Sequence, residues 1–267
     1  MAKESAAARS VATATEKKKY SAPALEKGLQ ILEAISCMSE PLGPSAIANL
    51  VGRTNSEIVR LLYVLEDMGY IERTGTSGGY QITSRLFTIA SARPATRSLL
   101  EIAFPLMREF ATSIRQSCHV SVRTDTKIVV IGRTEAHRGM SLSVRVGHNR
   151  SIVGSASGTV LFAFLALDQQ PAVLQELHRV ASSDDIEKFV SDARETRKIG
   201  FAKWPNTLLK GINDYSVPIF RSGSVCAALT VPFVPLVDSD LEELDLVEQM
   251  KQIANRISSQ IPPNEDY

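Results

Sequence analysis

Residues 54–72 read TNSEIVRLLYVLEDMGYIE, an amphipathic helix running into a short β segment. Thr54 and Glu57 stand at the T-x-x-E spacing in which each side chain can satisfy an orphan amide of the other residue. Ile58, Leu61, Leu62 and Leu65 recur at helical spacing and make one buried face. Gly69 is placed to end the helix in the left-handed conformation. The opposite face opens with Asn55, Ser56, Val59 and Arg60, where solubility alone would ask for a run of Lys and Glu. A short polar row with one arginine, at the amino end of a helix, suits the reading of base edges in a DNA groove.

Working outward, Pro23 suits the first turn of a helix, and Leu25, Leu29, Leu32, Ile35 and Met38 then form an apolar stripe. The proline and glycine of EPLGP (40–44) force a turn, and Ser45 to Val51 make a second helix presenting Ile47 and Leu50, closed by Gly52. Downstream of the opening stretch, YIERT, GTSGG and YQIT read as two strands around a glycine-rich turn. Three helices with a short turn between the last two, followed by a hairpin, predict a winged helix-turn-helix over residues 21–83. The predicted partner is a double-stranded DNA operator. Arg53, Thr54, Asn55, Ser56, Val59 and Arg60 are the candidate contacts on the helix, and Arg73, Thr76 and Ser77 those on the wing. Glu57 suits a cap, though it could accept from a cytosine amine.

Residues 84–115 are helical in pattern but carry Pro94 and Pro105, which predicts a linker helix over 84–100 that kinks or restarts at the prolines. Over 101–262, β-rich runs (HVSVRTD, KIVVIGRT, MSLSVRV, YSVPIF, VCAALTV) mix with helices near 155–168, 170–180, 184–198 and 239–259. The absence of strict βα alternation predicts an α+β domain around an antiparallel sheet. Within it, GSASG (154–158) precedes an apolar helix, so its amides and hydroxyls gather at a positive helix end that favours a carboxylate; the blander reading is a tight cap.

Composition narrows the function classes. The 267 residues are 44% hydrophobic and 22% charged with a net charge of +1, so any DNA contact comes from local placement, not from a basic chain. Residues 1–20 have almost nothing to bury and read as a disordered tail, whose Lys17, Lys18 and Lys19 could touch phosphate. They lack the apolar core of a secretory leader, and VLFAFLAL (160–167) is far short of the ~20 residues a bilayer requires. Cys37, Cys118 and Cys226 are isolated and the four histidines lack ligand spacing, so a reducing cytoplasm, no metal and no cofactor are expected. A nucleophile elbow would need serine where Ala156 stands; there is no P-loop, dinucleotide fingerprint or H-E-x-x-H, and no catalytic residue is assigned.

Three segments in order, LEKGLQILEAI with the MGYIER that follows, GHNRSIVGSASGTVLFAF, and IGFAKWPNTLLKGINDYSVPIF, resemble the IclR family of bacterial transcription regulators over about residues 23–260. The resemblance implies an amino-terminal winged helix, a carboxy-terminal GAF-like effector-binding domain, and homodimers that often pair into homotetramers. Carried over by position, the effector pocket would comprise Ala156, Ser157, Trp204, Asp214, Thr230 and Pro232, with Ser155 from the loop beside them. The chain departs from the family pattern at Thr159, where a lysine is common, at Trp204, where an acidic residue is common, and at Asp214, where a cysteine is frequent. An indole wall with fewer polar groups suits a flat aromatic acid, although the same ring suits the core equally well. The A-S-G of the loop before an apolar helix also resembles family members that regulate aromatic-acid catabolism, which implies aromatic catabolism as the regulated process. The same residues also admit a second reading, a small-molecule sensor whose winged helix makes protein contacts instead of DNA contacts.

Overall fold

The computed structural model describes residues 21–36, 38, 40–74, 78–91, 94–136, 142–207, 209–236 and 241–263, in two compact units that divide after Ala92. The expected tail and the wing candidates Thr76 and Ser77 lie outside the described residues.

The first unit runs α1 (Pro23–Ser36), α2 (Pro44–Leu50), α3 (Asn55–Asp67), β1 (Ile71–Thr74), β2 (Gly79–Ile82) and α4 (Arg85–Ser91). Gly52 (φ +63°) closes the turn between α2 and α3, and Gly69 (φ +73°) takes the left-handed cap expected of it. β1 and β2 pair antiparallel from Ile71↔Ile82 to Thr74↔Gly79. The core is Ile31, Ile35, Ile47, Ile58, Leu62, Ile71 and Tyr80, with Leu61 and Leu65 packed at its margin. The stripe expected on α1 is corrected. Gly28, Ile31, Leu32 and Ile35 are buried, while Leu25, Leu29 and Met38 are 63%, 51% and 43% exposed. The apolar arc of α1 is wider than its seat on α2 and α3, so Leu25 and Leu29 fall on the uncovered half. Leu50 is likewise exposed, and α2 buries Ile47 and Ala48 instead.

The second unit opens with α5 (Pro94–Ile114). Pro94 restarts the helix in the first turn, where its missing N–H has no partner to lose. Pro105, expected as a second break, lies inside α5 with its ring exposed, and the helix continues through it. There follow β3 (Cys118–Thr124), β4 (Lys127–Thr134), β5 (Asn149–Ser151), α6 (Ala156–Ala163), α7 (Gln170–Leu177), α8 (Ser183–Ile199), β6 (Ala202–Pro205), β7 (Asn213–Arg221), β8 (Ser224–Phe233) and α9 (Glu243–Gln260). The strands form one antiparallel sheet in the order β5-β4-β3-β8-β7-β6.

Strand alternation sorts the sheet into two faces. One buries Val120, Val217, Leu229 and Val231 against α5 and α9, with Met107, Phe110, Met250 and Ile257. The other packs Ile128, Ala202 and Ala228 against α6 and α8, with Val160, Phe162 and Phe189. Gly132 allows α5 to come close, since a β-carbon there would meet Leu100 Cδ2 at 2.8 Å. The strand expected over MSLSVRV is corrected too. Residues 142–146 are irregular, because a turn at Gly147 (φ +84°), closed by His148 N–H to the Arg145 carbonyl at 3.1 Å, carries them off the β4 edge. β5 takes that edge instead.

Candidate functional site

Two places gather the candidate residues, one in each unit. On α3, Arg53, Thr54, Asn55, Ser56, Val59 and Arg60 are all exposed, with Val59 at 53%. Ile58 and Leu62 anchor the other side of the helix, so the polar row points outward by construction. Glu57 is committed to the fold: its carboxylate accepts from the Thr54 amide at 3.1 Å and the Thr54 hydroxyl at 3.0 Å, and pairs with Lys27 of α1 at 3.0 Å. The Thr54 amide and then the Lys27 ammonium hold its carboxyl down at about 2. It serves as a cap and a tie, with three contacts made inside its own unit. Asn55 donates to Ser45 Oγ at 2.9 Å, which orients its amide against α2. Tyr63, 67% exposed and one turn beyond Val59 and Arg60, extends the same face; helical spacing from Arg60 was the signal that could have found it. Arg73 of the hairpin leans on its own unit, with Nε 3.3 Å from Glu66 and its guanidinium 5.0 Å from the Tyr80 ring centre.

In the second unit a cavity of about 490 Å³ lies between the α6 side of the sheet and the irregular segment 142–146. Ser155, Ala156, Ser157, Asp214, Thr230 and Pro232 all line it. Ser155 is the N-cap of α6, accepting from the Gly158 amide at 3.1 Å and donating to the Ile152 carbonyl at 3.2 Å. A β-carbon on Gly158 would fall on the backbone of Ile152 and on Ser155 Oγ, so only glycine lets the helix start sit this close. Thr159, at the position where the family resemblance would place a lysine, turns back to bond the Ser155 carbonyl at 2.9 Å. Asp214 accepts from Asn206 at 2.9 Å; burial pushes its carboxyl up, opposed by that hydrogen bond and by the Arg150 charge. Thr230 and Ser216 share a hydroxyl contact at 2.9 Å.

Of the two readings of Trp204, pocket wall or core, the structure favours the core. Trp204 pairs with Asp214 across β6 and β7, so it shares the sheet face, yet it does not line the cavity. Its ring packs on the α6–α8 core with Lys188 Nζ 5.5 Å from its centre. The apolar walls are Ile128, Val130, Leu142 and Val144 instead. Sequence reasoning also missed His119, His148, Arg145 and Arg150. Arg150 donates to the Gly154 carbonyl at 2.6 Å and to Thr207 Oγ1 at 3.4 Å, buttressing the GSASG loop from β5. His119 stands on β3, while Arg145, His148 and Arg150 follow one another on the irregular segment, the turn and β5, and no local spacing announces that they meet.

The model of the bacterial transcriptional regulator IclR C-terminal domain matches residues 95–259, and that of the IclR helix-turn-helix domain matches residues 24–75. The chain belongs to the IclR family. It is a DNA-binding transcriptional regulator with an amino-terminal helix-turn-helix, and its curated relatives are regulators, not enzymes. The HTH-type transcriptional regulator KdgR of Escherichia coli is 24% identical over 251 residues, 92% of this chain and 95% of that one. TtgV of Pseudomonas putida is 25% identical over 194 residues, covering 72% and 74%. An IclR homolog from Microbacterium hydrocarbonoxydans, crystallised with 4-hydroxybenzoate, superimposes with a TM-score of 0.74 at 20% identity, covering 89% of this chain and 98% of that one. Among the described residues no helix of this IclR-family chain is long and apolar enough to cross a membrane.

Proposed function

We propose that this IclR-family regulator controls a catabolic operon in the cytoplasm and responds to a small organic acid held in the cavity beneath α6. The observation that carries this reading is the cavity itself. A volume of about 490 Å³ falls in the range of small-molecule sites, and polar and charged groups converge there opposite an apolar wall of Ile128, Val130, Leu142 and Val144. Arg145, Arg150 and the first-turn amides of α6 favour a carboxylate, while Ile128, Val130, Leu142 and Val144 offer room for a ring. The complex of a structural relative with 4-hydroxybenzoate supports an acid of that size. On the DNA side, Arg53 and Arg60 extend from the exposed amino end of α3 with no ion-pair partner among the described residues. Reading a two-fold operator requires a second copy. The exposed Leu25 and Leu29 of α1 and Phe87 and Ile89 of α4 supply apolar surface for a homodimer, from which a homotetramer can be built.

The test is a gel-shift titration of the full-length protein on the promoter regions of its own and neighbouring genes, across a salt series, with and without aromatic and short aliphatic acids. Specific binding should weaken steeply with salt. An effective acid should change DNA affinity by roughly 5–150-fold. Salt-insensitive or absent binding on every fragment would favour protein contacts by the winged helix. Unchanged affinity with every acid would remove the effector assignment.

A further inference from the structure

The inner wall of the cavity carries a group that the reading above leaves idle. His119 stands on β3 opposite Thr230 of β8, lines the cavity and is only 6% exposed. Its Nδ1 is buried without a hydrogen-bond partner. Ser121, two residues along the same sheet face, does not supply one, for its own hydroxyl is equally unpartnered. Burial, reinforced by the nearby His148, holds the imidazole down at about 4, so it is neutral at neutral pH. Buried polar side-chain atoms are nearly always satisfied, so an exception beside a ligand cavity calls for a partner, and a small turn of the ring about its Cβ–Cγ bond would bring Nδ1 to a ligand there.

The surroundings select the kind of group. A neutral imidazole carries one N–H and one lone pair, so Nδ1 is a donor in one tautomer and an acceptor in the other. A hydroxyl, both donor and acceptor, satisfies either; a hydrogen or a methyl satisfies neither. A carboxylate fits poorly here, since the cavity places Asp214 on the same sheet face and its cations, Arg145 and Arg150, on the strand-edge and loop side. The acid function therefore goes to the arginines and the α6 amides, leaving an uncharged substituent for His119. We propose that His119 is a specificity-determining residue whose Nδ1 hydrogen-bonds a hydroxyl of the effector, so that the cavity selects hydroxylated acids over otherwise identical acids lacking that hydroxyl. This rests on the cavity being the effector site, as proposed above.

The experiment is calorimetry on the full-length protein at neutral pH with pairs of acids differing by one hydroxyl: benzoate against 3- and 4-hydroxybenzoate, and propionate against lactate. Leaving a buried polar atom unsatisfied corresponds to a factor of roughly 5–150 in affinity, and that preference for the hydroxylated member is expected in at least one pair. His119→Phe, with folding checked by circular dichroism, should bring the ratio close to one. His119→Asn, which returns a polar atom near the place of Nδ1, should recover most of the preference; it also serves if the phenylalanine variant does not fold. Asp214→Asn separates the other acceptor. A preference that vanishes with Asp214→Asn but survives His119→Phe would assign the hydroxyl to Asp214 and overturn the proposal. Equal binding within every pair, or tighter binding of the plain acids, would overturn it while leaving the effector reading intact. If no acid of any pair binds, the effector reading falls and the proposal with it.

Discussion

The outer face of α3 and the cavity beneath α6 are both polar sites held in place by apolar packing, yet they are built in opposite ways. On α3, one helix carries every candidate: Ile58 and Leu62 face the core, and Asn55, Ser56, Val59 and Arg60 stand in water. In the cavity, part of the polar lining lies inside the fold, while Arg145 and His148 remain exposed at its edge. Ser155, Ser157, His119 and Thr230 are all buried and come from β3, β8 and the start of α6. In the first site, Val59 and Arg60 stand clear of the core and can change without disturbing the fold, while Thr54 and Asn55 also hold the start of α3. In the second, Ser155 and Thr230 are also structural elements, bonded within the fold, while His119 Nδ1 is left without a partner.

The contrast can be broken or sharpened at chosen positions. The largest effect is expected inside. Ser157→Leu puts a bulky side chain into the first turn of α6, where Ser157 is 5% exposed and lines the cavity. Acid binding should fall by more than about 100-fold, roughly 3 kcal/mol, while operator binding in a gel shift persists. Acid binding at near wild-type affinity would place the ligand elsewhere. Next in size is Arg60→Ala on the surface. It should cost about 1–3 kcal/mol of specific DNA binding if Arg60 reads a base, with a urea midpoint indistinguishable from wild type. An equal loss on operator and random DNA would put Arg60 on phosphate.

The smallest effect concerns Glu57, a surface residue that behaves structurally and so tests where the contrast ends. Its carboxyl is held at about 2 in the fold against an ordinary value of 4.5. A depressed carboxylate contributes stability that is fully present above its ordinary pKa and is lost as pH falls through the folded value. Glu57→Gln should therefore be slightly less stable than wild type at pH 7, and the gap should close between about pH 4.5 and pH 2. Urea midpoints at pH 7 and pH 3 measure this. A gap that does not shrink on acidification would mean that the Thr54 and Lys27 contacts contribute nothing.

This difference in construction also governs what could be seen in the sequence. The winged helix was legible because its information is local: Thr54 and Glu57 mark the start of α3, Gly69 marks its end, and the glycines between YIERT and YQIT mark the hairpin. Even there, periodicity overreached on α1, since it reports an apolar arc but not how much of that arc the neighbours cover; Leu25 and Leu29 are the result. The cavity was half legible. GSASG was visible as a helix start, but His119 and Arg150 read as ordinary strand residues until pairing brings β3 beside β8 and β5 beside β4. Trp204 left two readings open for the complementary reason. Its position in β6 fixes its sheet face, while the packing of α8 decides that the ring joins the core. The strand expected at 140–146 had the right alternation, but its described part, 142–146, found no edge on which to express it.

Gly158 has a meaning for anyone wishing to retune this protein as a sensor. With no space between it and Ile152, position 158, just behind the cavity lining, is fixed, closed to variation by geometry alone. Variation has to enter through the walls, and Leu142 and Val144 are the natural places: they lie on irregular backbone outside any hydrogen-bonded ladder and are only half-buried. A library randomised at those two positions, with residues 154–158 left untouched, would explore new ligands while keeping the part that cannot be rebuilt.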